Sequence, residues 1–333
     1  MISNSWLYAL RVRMFTAVPA RACPASARFC VHFVASLMLV GCSVQPIRHT
    51  SHFTSFYVAP HPDDIELFMG MNAWHDITAL SGTVVFIVLT AGDAGYGTDF
   101  AHDGDPLPYY RAREQGHERA VRLWVGLNRL SVAATARSTI SLAGGRFTLE
   151  RLSIGEAVRI YFLRLPDGSP DGDGYPRDGN ESLKKVLTGQ IASISSIDHT
   201  LSFSLRELET VLRDIVAAES VGSAEVWVNI QDESWTESPI DHSDHKATAN
   251  IVLDALKQTR FYCVNIARYA TYVNSIRPRN MSASDADIHL GTWGALNGGI
   301  TDGGPVNTWD FLHLSWIGKE YYREQLSNMP CAF

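Results

Sequence analysis

Ala59–Leu67 reads APHPDDIEL and follows directly on the apolar run Phe56-Tyr57-Val58. A strand that ends in a turn needs one Asp or Pro, whereas this exit carries His61, Asp63 and Asp64 together. Adjacent carboxylates repel unless something positive sits between or beside them, and a divalent metal is the obvious candidate. Upstream, FTSFYVA reads as a strand; downstream, Glu66–Leu80 has helical length. The next segment, TVVFIVL (Thr83–Leu89), is continuously apolar, as expected of a parallel strand covered on both faces. Strand, helix and strand in that order form a βαβ crossover, and the remaining question is whether the chain supplies further ligands.

Working outward, AVRIYFLRL (157–165) and EVWVNI (225–230) read as further strands. SLRELETVLRDIVAA opens with Ser204 as an N-cap and sets Leu205, Leu208, Leu212 and Ile215 on one helical face. This alternation predicts an α/β fold: a Rossmann-like, doubly wound, mostly parallel sheet with helices on both faces and ligands beyond the strand C-termini. The stretch 166–182 (PDGSPDGDGYPRDGNES) superficially suggests a calcium loop, but Tyr175 and Pro176 stand where that pattern needs a ligand and the turn glycine. It is read as a structured loop beside the site.

After the strand at 225–230 comes DHSDHKATAN (241–250), with His242, Asp244 and His245 opening a helix through Ala255. Two imidazoles and one carboxylate are the donor set of catalytic zinc, and His61, Asp64 and His245 supply it. Asp63 and His242 are left over as general base and acid. Singly, each piece is weak: His-Pro-Asp at a strand end is commonly a capped turn, and an HxxH pair at a helix start is commonly solvated. Together, each after a buried strand and before a helix, they point to a metal site.

At these residues the chain resembles the PIG-L, or LmbE-like, zinc-dependent N-deacetylases of amino sugars. The resemblance rests on APHPDDIELFMG, VLTAGDAGYG and DHSDH, with RAREQGHERAVRLWVG and RLPDG in support, and it covers roughly residues 53–275. It implies an LmbE-like fold with His61, Asp64 and His245 as metal ligands. It also implies Asp63 as general base, His242 as the histidine that protonates or stabilises the tetrahedral intermediate, and Asp244 as its orienter. Arg113 or Arg111 would contact substrate. Glu66 stands two places after Asp64 rather than directly after it, and position 93 is Asp where Glu is common. Residues 276–333 are Trp-, Gly- and Asn-rich and match the family poorly.

The activity so implied is removal of acetyl from an N-acetylated amino sugar or glycoconjugate. Two alternatives stay open: an amidase acting on another acylated amine, and a non-catalytic carbohydrate-binding protein on the same fold. The intact Asp63 argues against the last.

With 333 residues, 46% hydrophobic and 19% charged, the chain reads as globular, and its net charge of -7 without a basic stripe speaks against a nucleic-acid partner. Residues 1–41 differ in kind, with Arg11, Arg13, Arg21 and Arg28, no acidic residue, and then the apolar stretch FCVHFVASLMLV. They read as a signal peptide, and LVGC (Leu39–Cys42) resembles a bacterial lipobox, which would place the protein in the cell envelope with its only membrane attachment a lipid on Cys42. An ordinary cleaved signal, or a start at Met14, is the other reading. Residues 42–52 follow as a tether, and 53–333 as a single domain. Removal of the leader leaves 24 basic against 35 acidic residues. Beyond Cys42 only Cys263 and Cys331 remain, either one disulfide or two buried thiols. Cys263 falls in a late strand (RFYCVNIARYATYV), and Cys331 follows WIGKEYYREQL, read as a terminal helix.

Overall fold

A computed structural model describes residues 45–49, 51–79, 81–128, 134–234, 240–304, 308–327, 329 and 331. The expected leader and Cys42 lie outside these residues. In chain order the elements are β1 (Phe53–Ala59), α1 (Asp64–Phe68), α2 (Gly70–Thr78), β2 (Gly82–Thr90), α3 (Tyr109–Asn128), β3 (Thr135–Leu142), β4 (Phe147–Ile154) and β5 (Val158–Leu165). They continue with α4 (Leu183–Leu187), β6 (Ile194–Ser195), β7 (Ser202–Phe203), α5 (Leu205–Glu219), β8 (Glu225–Gln231) and α6 (Ser243–Ala255). The last are β9 (Asn265–Tyr269), α7 (Ala283–Gly303), α8 (Phe311–Leu314) and β10 (Tyr322–Gln325).

The main sheet has eight strands in the order β10-β9-β8-β1-β2-β5-β4-β3. β9, β8, β1, β2 and β5 are mutually parallel, and β10, β4 and β3 add antiparallel edges. β1 sits inside because both its faces are apolar: Phe56 and Val58 join the layer with α5 and α6, while Tyr57 and Ala59 join the layer with α1, α2, α3 and α7. From β1 the chain winds first through β2 to β5 and then returns to β8 on the other side. The C-terminal ends of β1 and β8 therefore flank the point where the winding reverses, the place where open α/β sheets bind ligands.

The predicted mostly parallel doubly wound sheet is the one observed, and the four predicted strands fall within a residue of β1, β2, β5 and β8. α5 has the predicted Ser204 cap, completed by Glu207 into a capping box. Other expectations differ. The single helix over 66–80 is two, broken at Met69, because the N–H groups of Met71 and Asn72 turn to the buried Glu320 carboxylate at 2.9 and 3.2 Å. The predicted terminal helix is instead β10, antiparallel to β9. Gly318 adopts φ 80°, a left-handed conformation that stops a helix, and the edge of β9 offers the following residues a hydrogen-bonding partner. The hairpin β3–β4 and the helix α7 were not anticipated. α7 lies close against α3 through glycine: a Cβ at Gly299 would stand 2.7 Å from the Gly116 Cα.

Residues 45–49, within the expected tether, are docked rather than loose. His49 stacks on Phe53 at 3.5 Å and bonds Asp76 at 2.8 Å, near the start of β1. Ile47 N–H reaches Asn72 at 3.0 Å, and the Tyr322 hydroxyl donates to the Gln45 carbonyl at 2.6 Å. Tyr322 pairs with Tyr269, the last residue of β9. The segment thus runs along the sheet, with Gln45 toward the C-terminal ends of the parallel strands.

Cys263 and Cys331 are joined, with Cα atoms 5.0 Å apart at a sequence separation of 68. Closing such a loop removes denatured-state entropy worth about 4 kcal/mol. Replacing both with serine is expected to lower the denaturation midpoint, and reductant should lower it in the native protein but not in the variant. Equal midpoints would show that the closed loop contributes nothing to stability.

Candidate active site

Three strand ends deliver the site. The turn after β1 carries His61, Asp63 and Asp64; the loop after β5 carries Asp167; the loop after β8 and the start of α6 carry Asp241, His242, Asp244 and His245. Asp64 joins two of these ends. One of its oxygens accepts from the His61 backbone N–H at 2.9 Å and lies 3.0 Å from His61 Nδ1, and the other lies 3.0 Å from His245 Nε2. His61, Asp64 and His245 are 6%, 3% and 0% exposed, and one ligand atom from each lies within 4.8 Å of the others. The three sequence-predicted ligands are therefore together and shielded from water.

The imidazole hydrogen bonds distinguish the histidines. Asp241 accepts from His245 Nδ1 at 2.6 Å, which leaves Nε2 facing Asp64. This is the arrangement in which an outer carboxylate sets the tautomer of a metal-ligating histidine. Nε2 of His245 and Nε2 of His61 are buried and make no well-aligned hydrogen bond among the described residues, facing carboxylate oxygens of Asp64 at 3.0 Å and Asp244 at 3.4 Å. A donor set of two imidazoles and a carboxylate whose ring nitrogens lack a well-aligned partner fits a divalent metal. A second group, His61, Asp167, His242 and Asp244, meets the same spacing; one oxygen of each of its carboxylates accepts a backbone N–H, and Asp244 Oδ1 is buried without a hydrogen-bond partner among the described residues. Asp244 accepts from Gly168 N–H at 2.8 Å, and Asp167 accepts from Ser169 N–H at 2.9 Å. His242 Nδ1 accepts the Asp244 backbone N–H at 3.2 Å as the cap of α6. That bond puts the ring proton on Nε2, making it a donor rather than a ligand.

Electrostatics follow from this crowding. Burial works against a charged His61, yet Asp64, Asp244 and Asp167 outweigh it and hold the imidazole well above its ordinary range. Burial likewise opposes charge on His245, but Asp241 and Asp64 push it up to about 10. Burial would raise Asp64, and the two imidazoles overcome that and lower it well below the carboxylate range. Burial and the neighbouring His61 lower His242, keeping it neutral. The centre is thus strongly cation-seeking, and His242 is the ring left uncharged.

Asp63 turns away from Asp64 to Arg113, whose guanidinium lies 2.5 Å from its Oδ1; Arg113 also donates to the Gly92 carbonyl at 2.6 Å. Both terminal nitrogens of Arg113 therefore hold protein groups, and the expectation of substrate contact gives way to one of positioning Asp63. Burial disfavours the Arg113 charge, but Asp63 reverses this and raises its pKa. Arg111 is not brought to the site. Two places away on α3 it faces another direction and bonds Glu114 at 2.6 Å. Asp244 also departs from expectation: its backbone N–H, not its carboxylate, orients His242, and the carboxylate faces Gly168 and, at 3.4 Å, His61.

Residues that motif reasoning missed are Asp167, Asp241 and Asp93. Asp241 stands four places before His245, and Asp167 stands at a third strand end within RLPDG, so both had a positional signal. Asp93 accepts from Gly95 and Gly97 N–H at 3.1 and 2.8 Å and from Asp167 N–H at 3.2 Å, tying the β2 loop to the β5 loop. The 166–182 loop is ordered against the site, as expected: a Cβ at Gly168 would stand 2.4 Å from Asp244 Oδ1. Beside it opens a groove of about 520 Å³ whose lining includes Thr98, Pro166, Arg177, Asp178, Glu181 and His199.

Residues 56–256 match the model of the PIG-L family, described as GlcNAc-PI de-N-acetylase. Similar solved structures include the N,N'-diacetylchitobiose deacetylase of Pyrococcus horikoshii, at 14% identity over 83% of this chain and 84% of that one, with a TM-score of 0.45. A deacetylase of the teicoplanin biosynthesis pathway aligns at 13% identity over 75% and 84%, with a TM-score of 0.38. GalB, the 4-carboxy-2-hydroxymuconate hydratase of Pseudomonas putida KT2440, aligns at 9% over 79% and 82%, with a TM-score of 0.35. No curated protein sequence gives a significant match. The family match takes in both motif-bearing strand ends, from within β1 to the end of α6, and by it the chain belongs to the PIG-L family.

Proposed function

We propose that this protein is a zinc-dependent N-deacetylase that removes acetyl from an N-acetylated amino sugar or glycoconjugate. The observation that carries the reading is Asp63. It stands one residue from a buried two-imidazole, one-carboxylate cluster, with Oδ1 held by Arg113 and Oδ2 without a partner among the described residues. A binding-only site has no use for a carboxylate kept apart in this way. The family match supports amide hydrolysis on an amino sugar, and the polar groove beside Asp167 suits a hydroxyl-rich ligand.

His61, Asp64 and His245 would hold the zinc, with Asp241 fixing the tautomer of His245. Zinc in such a site lowers the pKa of a bound water to about 7 and polarises a carbonyl. Asp63 takes the proton of the attacking water as the new C–O bond forms. The neutral His242 has its Nε2–H available to donate to the oxygen that gains charge. Breaking the C–N bond sends a proton to the departing nitrogen, leaving a free amine and acetate.

Asp63→Asn should keep the zinc content of the native protein and lower acetate release from an N-acetylated sugar by roughly 10²–10⁴-fold. Loss of zinc in that variant would make Asp63 a ligand, and full activity would move the base elsewhere. His61→Ala should lose metal and activity together. Asp241→Asn should weaken metal affinity by about 10–100-fold, measured by competition with a chelator. Unchanged affinity would remove Asp241 from the metal site.

We further propose export and a lipid anchor on Cys42. Among the described residues no helix is long and apolar enough to cross a membrane. Three residues span at most about 11 Å, so an anchor on Cys42 would keep Gln45, and with it the end of the sheet that carries the cluster, near the membrane surface. Cys42→Ser should move the protein from the membrane to the soluble fraction; an unchanged distribution would count against the anchor.

A further inference from the structure

Large apolar side chains stand exposed on two adjoining turns of the C-terminal segment. Among the described residues Phe311 and Ile276 are the two most exposed large hydrophobics, at 90% and 85%, and Leu312 and Trp309 beside Phe311 are exposed as well. Phe311 and Leu312 open α8, which Asp310 caps, and Ile276 closes the short 3-10 helix Tyr272–Ile276 after β9. The two turns are fastened to each other. Trp316, two residues past α8, stacks on the Tyr272 ring at 5.0 Å and donates its indole N–H to the Tyr272 carbonyl at 3.1 Å. From α8 itself, His313 stacks on the buried Trp293 of α7 at 5.4 Å. Single exposed hydrophobics need no explanation. These come from turns that are tied to one another and to the core.

Charge and position indicate what covers them. Ile276 is followed by Arg277, which lies over the Tyr321 ring at 4.9 Å, and by Arg279, which is exposed. Residues 274–282 (NSIRPRNMS) contain no acidic side chain, although acidic residues outnumber basic ones by 35 to 24 beyond residue 41. Asp310, the acidic residue beside Phe311, pairs with His313 at 2.7 Å. This surface lies where the chain arrives from Cys42. The Tyr321 hydroxyl donates to the Pro278 carbonyl at 2.7 Å, and the next residue, Tyr322, donates to the Gln45 carbonyl at 2.6 Å. Adjacent residues thus hold the basic turn and Gln45, which stands three places after Cys42.

We propose that these two turns rest on the surface of the membrane that holds the Cys42 anchor, with Ile276, Phe311 and Leu312 entering the headgroup layer and Arg277 and Arg279 meeting anionic phospholipid. The inference rests on the reading of Cys42 as a lipid anchor. Apolar and aromatic side chains flanked by basic ones are the composition that binds in the plane of a bilayer surface, and each arginine gains from the negative potential of anionic lipid. An anchor on a short tether fixes distance but not orientation. A second contact on the folded domain fixes both, and holds the metal-bearing end of the sheet at a set attitude to the membrane.

The test uses the full-length protein with vesicles of phosphatidylcholine, with and without phosphatidylglycerol, whose acyl chains carry bromine. Tryptophan fluorescence should be quenched on the vesicles, and Trp309→Phe should remove most of that quenching; equal quenching in this variant overturns the proposal. Vesicle binding is then compared in the Cys42→Ser background, where no lipid is attached. Replacing Arg277 and Arg279 together with glutamine should weaken binding to the anionic vesicles by about 30-fold and leave binding to the neutral ones unchanged. Phe311→Ser should weaken both by about tenfold. Melting temperatures should stay at the native value, since the altered side chains are exposed. Equal binding of all these proteins overturns the proposal. So does a fall in oligomeric state on Phe311→Ser with quenching unchanged, which would give the surface to a second copy of the chain. If Cys42→Ser leaves the protein on the membrane in cells, the anchor reading fails, and the loss of quenching in Trp309→Phe still decides the role of the two turns.

Discussion

The contact on which the site depends is the Asp64 carboxylate between two imidazoles from two different strand ends. It joins the turn after β1 to the start of α6, which lie 181 residues apart between Asp64 and His245 but on adjacent strands of the sheet. A carboxylate buried this deeply is tolerated only when its charge is met, and here the partners are groups that themselves carry or attract positive charge. The same requirement extends outward: Asp63 is met by Arg113, and Asp241 by His245. Acidic side chains crowd a water-poor pocket, and each is ordered by what neutralises it.

That crowding also separates roles among residues of one chemical type. His245 donates its Nδ1–H to Asp241 and turns Nε2 inward to Asp64, while His242 receives a backbone N–H on Nδ1 and carries its proton on Nε2. The difference comes from helix geometry. His242 stands at the N-cap of α6, where side chains accept from the first backbone N–H groups, and His245 stands a turn inside, above Asp241. Two histidines three residues apart thus take different partners according to where the helix begins. The C-terminal segment then closes the other side, with Tyr272 and Trp316 against His245 and Phe68 and Glu320 at the start of α2.

Much of this was legible in particular stretches. The apolar runs around Phe56, Val85 and Val228 alternate with amphipathic helices such as Leu205–Glu219, and a chain so patterned has few ways to bury both faces of its strands other than a doubly wound sheet. His61, Asp63, Asp64, His242 and His245 stood out because charged and imidazole side chains cluster where apolar strands stop. The predicted helix at WIGKEYYREQL failed because local pattern could not register the left-handed Gly318 or the exposed edge of β9. The hairpin of β3 and β4 carries a mostly exposed, weakly patterned first strand, so periodicity had little to report there.

What the sequence by itself determined is the set of chemically competent groups and the elements that carry them, since residue type and apolar period are local properties. It could not decide which arginine faces inward. Arg111 and Arg113 sit two places apart on one helix, and only the packing of α3 turns Arg113 to Asp63 and Arg111 to Glu114. Nor could it show that Asp167 shares the pocket, that the Asp244 backbone rather than its carboxylate holds His242, or that Tyr272 reaches the cluster from beyond the matched region. Those facts depend on the direction of side chains brought together from distant parts of the chain. Burial then sets their charge: removed from water, each carboxylate and imidazole takes the protonation and orientation that its nearest neighbours impose.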